Sequence, residues 1–248
     1  MYRFESVSKF YSGELVIDNV SLTVPRGKTT ALIGPSGSGK STLFRLMTGL
    51  AKPDAGTIYF GDQQLDDKCI GAVRKRIGYV IQEGGLFPHM TGRANVSLMA
   101  GHLGWARDKV ESRILDLMKL TRLSPEVITR YPSEMSGGQR QRVSLMRALM
   151  LEADVLLLDE PLGALDPMVR AELQQDLAEI FRRLQKTVIL VTHDLAEAAY
   201  FGDQIVLMGA GRIVQSGSIA DIQRNPVNDF VKQFVQAQRT MLFSGAQL

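Results

Sequence analysis

The chain has 248 residues, 45% of them hydrophobic, enough for one large domain, or a domain with a subdomain, and its core. Its 29 basic and 26 acidic residues leave a net charge of +3, too balanced to argue for a nucleic-acid partner despite a pI near 9.0. The single cysteine, Cys69, excludes a disulfide framework and a cysteine-rich metal centre, and its polar, surface-like stretch gives it no role.

Residues 1–5 lead directly into folded-looking sequence, so no secretory signal is expected. Residues 2–6, 16–24 and 57–60 read as strands with few helices between them, a β-rich beginning. Residues 29–33 (Thr-Thr-Ala-Leu-Ile) read as a buried strand and 41–47 as a helix. Between them lies Gly34-Pro35-Ser36-Gly37-Ser38-Gly39-Lys40-Ser41, which fits G-x-x-x-x-G-K-[ST] in the strand–loop–helix context that this phosphate-cradling motif needs. Glycines let the backbone wrap phosphates without a Cβ clash, and successive N–H groups with the helix N-terminus face the anion. Lys40 would reach the β- and γ-phosphates and Ser41 would help hold Mg²⁺, with Thr42 in the same first turn. The plain alternative is a glycine-rich turn before an ordinary helix.

Residues 77–81 read as another strand, followed by Gln82. From about 88 to 150 the pattern turns helical, as in 109–120 and 138–150, and after Asp154 strands and helices alternate again. This order describes an α/β protein with a mostly parallel sheet and a helical insertion. The run 155–158 is a central strand ending in Asp159 and Glu160. Asp159 is placed to hold Mg²⁺ through water, and Glu160, one residue on, to position or deprotonate an attacking water. Alone, such an ending is a solvated turn; about 120 residues after a phosphate loop it acquires meaning. Ser136-Gly137-Gly138-Gln139 opens a second helix at small residues, either an anion site or a simple N-cap. Two anion-binding helix starts for one nucleotide suggest sites shared between two subunits. Residues 205–208 and 212–215, around a Gly209-Ala210-Gly211 turn, read as a hairpin. The runs 155–158 and 188–191 are far too short to span a bilayer, so the chain is expected to be soluble, with any membrane role supplied by a partner.

The set of motifs, in this order, resembles the ATP-binding subunit of ATP-binding cassette (ABC) transporters over residues 2–235. Met135-Ser136-Gly137-Gly138-Gln139 is similar to the family signature, with Met where Leu is usual. Gln82 matches the loop glutamine expected to sense Mg²⁺ and the γ-phosphate. Ala164-Leu165-Asp166 matches the loop that crosses the dimer interface, with Gly163 where many members carry Ser. His193 matches the switch histidine that contacts the γ-phosphate, and Tyr11 the aromatic that stacks on adenine, a place for which Phe10 competes. His89 and His102 lack such support.

The resemblance implies an α/β P-loop NTPase core with a mixed sheet, a β-rich N-terminal part and an inserted helical subdomain at about 88–150. It implies a nucleotide-binding domain over 1–235 and a short tail, 236–248. Implied catalytic residues are Glu160, His193 and Gln82. Nucleotide contacts fall to Tyr11, residues 34–42, Ser136, Gly137, Gly138, Gln139 and Asp166. Mg²⁺ falls to Ser41, Gln82 and Asp159. Implied ligands are ATP and Mg²⁺. Implied partners are a second ATPase subunit, as a homodimer or other pair, integral membrane permease subunits and an external solute-binding protein, with no nucleic acid; the place of work is the cytoplasmic face of the membrane. Gly85-Leu86-Phe87-Pro88-His89-Met90-Thr91 lies where the family receives a coupling helix of the permease, so Leu86, Phe87 and Met90 are either an exposed docking surface or core of the helical insertion. This segment, the run Val80-Ile81-Gln82 and residues 225–231 are most similar to ATPases for uptake of glycine betaine, choline or carnitine. The end at Leu248 leads to the expectation that the paired-repeat regulatory module of many such subunits is absent. Lipid or drug transport, and a soluble ATPase acting on nucleic acid or ribosomes, remain the alternatives.

Overall fold

In the computed structural model, which describes residues 1–82, 84–163 and 165–244, the elements run in chain order. They begin with β1 (Tyr2–Tyr11), β2 (Glu14–Val24), β3 (Thr29–Ile33), α1 (Lys40–Met47), β4 (Ala55–Phe60), β5 (Gln63–Gln64), α2 (Ile70–Arg74) and β6 (Ile77–Val80). Then follow α3 (Gly92–His102), α4 (Arg107–Leu120), α5 (Gly137–Leu149), β7 (Val155–Asp159) and α6 (Pro167–Leu184). The chain closes with β8 (Thr187–Val191), α7 (Leu195–Phe201), β9 (Gln204–Gly209), β10 (Arg212–Gly217), α8 (Ile219–Arg224) and α9 (Asp229–Ser244). Two compact units result: Met1–Val73 with the chain from Ile189 onward, and Arg74–Val188.

In the first unit, an antiparallel sheet has the order β2-β1-β4-β5. Ser12 and Gly13 both sit at positive φ (50° and 85°), the geometry of a two-residue hairpin turn that matches strand twist, so Tyr11 pairs with Glu14. Tyr2 and Phe4 face the core while Arg3 and Glu5 face out, the period-2 alternation of a half-buried strand. The Tyr2 hydroxyl donates to the Met47 carbonyl at 2.9 Å, and burial pushes its pKa up. Alternation then fails. Register shifts between Phe4 and Val7, between Val7 and Lys9 and between Lys9 and Phe10, with Ser6 at φ 50°, mark bulges that carry β1 past the expected 2–6 to Tyr11.

The nucleotide-loop side of this unit pairs β3 in parallel with β9, which turns through Ala210-Gly211 into antiparallel β10, the expected hairpin. Ala31, Ile33, Ile205 and Leu207 from these strands meet Leu195 and Ala198 of α7, Ile222 of α8, and Val231 and Val235 of α9 in one apolar cluster. Cys69 departs from expectation: it is only 5% exposed, its amide and those of Lys68 and Asp66 are tied into the Asp66 turn, and its thiol donates to the Gln64 carbonyl at 3.2 Å.

In the second unit β6 and β7 are parallel, Ile77 opposite Val155 and Val80 opposite Leu158. A Cβ at Gly78 would lie 2.3 Å from the Ala148 carbonyl oxygen, so a glycine is what lets α5 pack onto β6. Arg142 of α5 is nearly enclosed; it donates to the Thr121 carbonyl (2.7 Å), to Glu172 (2.8 Å) and to Asp176, the last two on α6. Asp176 also accepts from Arg122 at 2.7 Å, so one buried carboxylate joins two guanidinium groups.

Candidate active site

The phosphate loop begins where β3 ends. Gly34, Gly37 and Gly39 all sit at positive φ (146°, 76° and 99°). A Cβ at Gly34 would lie 2.3 Å from the Met208 carbonyl oxygen of β9, and one at Gly39 would lie 2.6 Å from Ile17 Cδ1. Gly34 is therefore required by backbone approach as well as by φ, Gly39 chiefly by φ, with the Ile17 side chain close by, while Gly37 faces open space. Gly39 precedes α1 without a side-chain cap, so the first N–H groups of the helix turn toward the loop. The Lys40 ammonium, only 7% exposed as a residue, donates to the Gly34 carbonyl (2.8 Å), the Pro35 carbonyl (2.9 Å) and Ser38 Oγ (3.3 Å). Pro35 and Ser36 complete the loop, Ser41 is exposed at the first helical turn, and Thr42 is buried beside it. A triphosphate fits this cradle: the walls are backbone, and the cation is already drawn over the loop.

The first unit carries two further candidates. Tyr11 and Phe10, at the end of β1, are both exposed, with the Lys9 ammonium 5.4 Å from the Tyr11 ring centroid, so both remain available to a base. His193 is exposed, two residues past the end of β8. Its neighbours are fixed: Thr192 N–H donates to the Leu32 carbonyl (3.2 Å), Thr192 Oγ1 donates to Glu197 (2.6 Å), and Asp194 caps α7 through the Ala196 and Glu197 amides.

In the second unit, Asp159 closes β7 and lies 3.5 Å from the Tyr79 hydroxyl. Glu160 follows at φ 46°, a left-handed conformation that costs a non-glycine residue roughly 1 kcal/mol or more and persists where surroundings over-determine it. Its Oε2 stands 3.5 Å from Gln82 Nε2, and a Cβ at Gly163 would meet the same oxygen at 3.4 Å. Gln82 itself is exposed beyond β6.

Ser136 caps α5 reciprocally: its hydroxyl accepts from the Gln139 amide (3.3 Å) and Gln139 Oε1 accepts from the Ser136 amide (3.0 Å). Gly137 and Gly138 have a second cause, which sequence reasoning missed. A Cβ at Gly137 would lie 2.9 Å from Leu165 Cδ2 and one at Gly138 2.7 Å from Val169 Cγ1. The two glycines thus seat the start of α5 on the start of α6, where Asp166 caps the Val169 amide at 3.1 Å. Ala164, part of the expected interface loop, lies outside the described residues, as do 245–248 of the expected tail.

Residues 17–163 match the protein-family model described as ABC transporter. The chain belongs to this family. It is 43% identical over 240 residues, 96% of its length, to the choline transport ATP-binding protein OpuBA of Bacillus subtilis strain 168, and spans 63% of that relative. It is 41% identical over 234 residues (94% of this chain, 76% of the relative) to the glycine betaine uptake system ATP-binding protein YehX of Escherichia coli K12. A sulfate/thiosulfate import ATP-binding protein of Synechococcus elongatus is equally near, at 44% over 229 residues (92% of this chain, 66% of the relative). Among solved structures, a dimeric ATP-binding cassette in a post-hydrolysis state bound to ADP and Pi matches with TM-score 0.79 and 31% identity, over 88% of this chain and 99% of that one. The cbiO1 protein of Clostridium perfringens, part of an ABC transporter complex, matches with TM-score 0.82, 31% identity and 89% coverage of each chain. The α/β cassette fold expected from sequence is the fold observed. The chain spans about 63% of the length of the B. subtilis relative.

Proposed function

We propose that this cassette hydrolyses ATP and powers uptake of a quaternary-amine osmoprotectant through a membrane permease. The observation that carries the reading is the second-unit pair of Glu160 and Gln82, 3.5 Å apart just past the acidic end of an apolar strand, in a chain whose phosphate loop is built for a triphosphate. Lys40 and the α1 amides bind the phosphates. Glu160 takes the proton of the attacking water, Gln82 orients that water and senses the γ-phosphate, and His193 contacts the same phosphate. Ser41, Gln82 and Asp159 would hold Mg²⁺, which supplies charge neutralisation at the transferring phosphoryl group. Tyr11 stacks on adenine. Ser136, Gly137, Gly138, Gln139 and Asp166 serve the nucleotide bound to a second copy, which makes the working state a head-to-tail pair. The cassette would occupy 1–235, with the helices within 88–150 as its inserted subdomain.

Phe87 is 43% exposed, with Leu86 and Met90 half-buried, which supports a docking surface over a core position. Among the described residues no helix is long and apolar enough to cross a membrane, which leaves the crossing to a permease. Work at the cytoplasmic face and delivery by an external solute-binding protein follow from uptake. The substrate class rests on the choline, carnitine and glycine betaine relatives. The near-equal sulfate/thiosulfate relative indicates that cassette identity tracks the motor more than its cargo. Purified protein should hydrolyse ATP only with Mg²⁺, and membranes should yield it with an integral membrane protein. Uptake of labelled glycine betaine should fail on its deletion. Recovery with ribosomes or DNA and no membrane protein contradicts the transport reading, and unchanged betaine uptake contradicts the substrate.

A further inference from the structure

Just beyond Gln82 the backbone is gripped by side chains of α5. The Gly84 carbonyl accepts from Ser144 Oγ (2.6 Å) and Arg147 Nη2 (3.0 Å), and the Gly85 carbonyl accepts from Arg147 Nη1 (2.9 Å). The same guanidinium stands 6.0 Å from the Phe87 ring centroid. Gly84 and Gly85 are both left-handed (φ 78° and 53°), and a Cβ at Gly85 would lie 2.0 Å from Ile81 Cδ1, so glycine lets the two carbonyls face Arg147 without strain. Downstream, fully buried Asn95 of α3 accepts from the Phe87 amide (2.7 Å) and donates to the Phe87, Met90 and Thr91 carbonyls (3.0–3.1 Å). The segment 84–91 is thus strapped by its backbone to α5 and α3. Burial lowers the Arg147 pKa from its ordinary value, yet a guanidinium keeps its proton at neutral pH, so its fork stays committed to these carbonyls.

We propose that Arg147 is the positioning residue that makes the Phe87 surface follow helix α5, so that the surface registers the nucleotide engaged at the Ser136 end of that helix. The proposal rests on the ATP-dependent pairing argued above. Ser136 and Arg147 are about 16 Å apart along one continuous helix at 1.5 Å per residue. A shift at one end is therefore delivered at the other, and the fork passes it to two consecutive peptide carbonyls. A lysine, with one ammonium, holds one of them at a time.

The test uses the full chain with Glu160→Gln, which keeps ATP intact, and with Trp105→Phe and Phe87→Trp, which leave one tryptophan in the protein. MgATP should shift the Trp emission of this parent and MgADP should not. Arg147→Leu should bind MgATP, measured by calorimetry, and lose the shift. Arg147→Lys, which keeps the charge and decides the matter if the leucine variant does not fold, should give a reduced shift, and Ser144→Ala, which spares the fork, should retain it. A full shift in folded Arg147→Leu, or in Arg147→Lys, overturns the proposal. A parent that binds MgATP with no shift also overturns it, whereas a parent that binds no MgATP overturns the ATPase reading instead.

Discussion

Gln82 Nε2 and Glu160 Oε2 face each other across 3.5 Å, the outer limit of a direct hydrogen bond. A group that only orients a water contributes about one hydrogen bond, about 1 kcal/mol, or five- to tenfold in rate. Gln82→Ala also removes a group proposed to hold Mg²⁺, so it should lower kcat for ATP by at least that factor and raise the Mg²⁺ concentration needed for half-maximal rate, as steady-state kinetics would report. An unchanged kcat and Mg²⁺ dependence would remove Gln82 from the site.

The Lys40 ammonium rests on loop carbonyls, which on the proposed reading it would exchange for phosphate oxygens when ATP binds. Lys40→Ala should abolish measurable ATP binding in calorimetry with the fold intact by circular dichroism. Gly34→Ala should act differently: its Cβ would strike the β9 backbone, so it should lower stability by about 1–3 kcal/mol as well as binding.

Phe87→Ala separates docking from core. An exposed anchor should cost about 2–4 kcal/mol of permease affinity in a pull-down titration and leave urea unfolding of the isolated chain unchanged. A loss of about 3–5 kcal/mol in the isolated chain would mark Phe87 as core.

Asp176, with its side chain 3% exposed, serves both Arg142 and Arg122. Asp176→Asn leaves Arg142 nearly enclosed with a weakened partner set and should cost about 3–5 kcal/mol in urea unfolding. Because Arg142 ties α5 to α6, the loss should appear as a cooperative shift of the whole transition. No change would show the network to be solvated in solution.

What was legible in the sequence is what local chemistry dictates. The strand at 29–33, the loop after it, the helix that Ser136 caps and the hairpin at 204–217 are written in apolar runs, glycines and capping residues, and β3 matches its expected bounds. The boundaries of β1 were not legible, because its bulges break the alternation that reveals a strand. Long-range causes were equally hidden. Nothing local distinguishes Arg142 and Arg147 from solvated helix residues, yet one meets Asp176 and the other the Gly84 and Gly85 carbonyls. The glycines of the Ser136 motif read as an anion site or a flexible approach, while their contact with Leu165 and Val169 depends on α6, about thirty residues away. The polar neighbours of Cys69 suggest exposure, but the Asp66 carboxylate folds back onto the Lys68 and Cys69 amides just ahead of α2.

On the proposed reading, Glu160 drives hydrolysis at a site completed by a second copy's Ser136. Light scattering of the Glu160→Gln chain after size-exclusion chromatography, with an ATPase assay of the same protein, checks it. A dimer is expected with MgATP, a monomer with MgADP, and turnover lowered by about 10²–10⁴-fold. A chain that stays monomeric in saturating MgATP, or that turns over ATP at the parent rate, contradicts it.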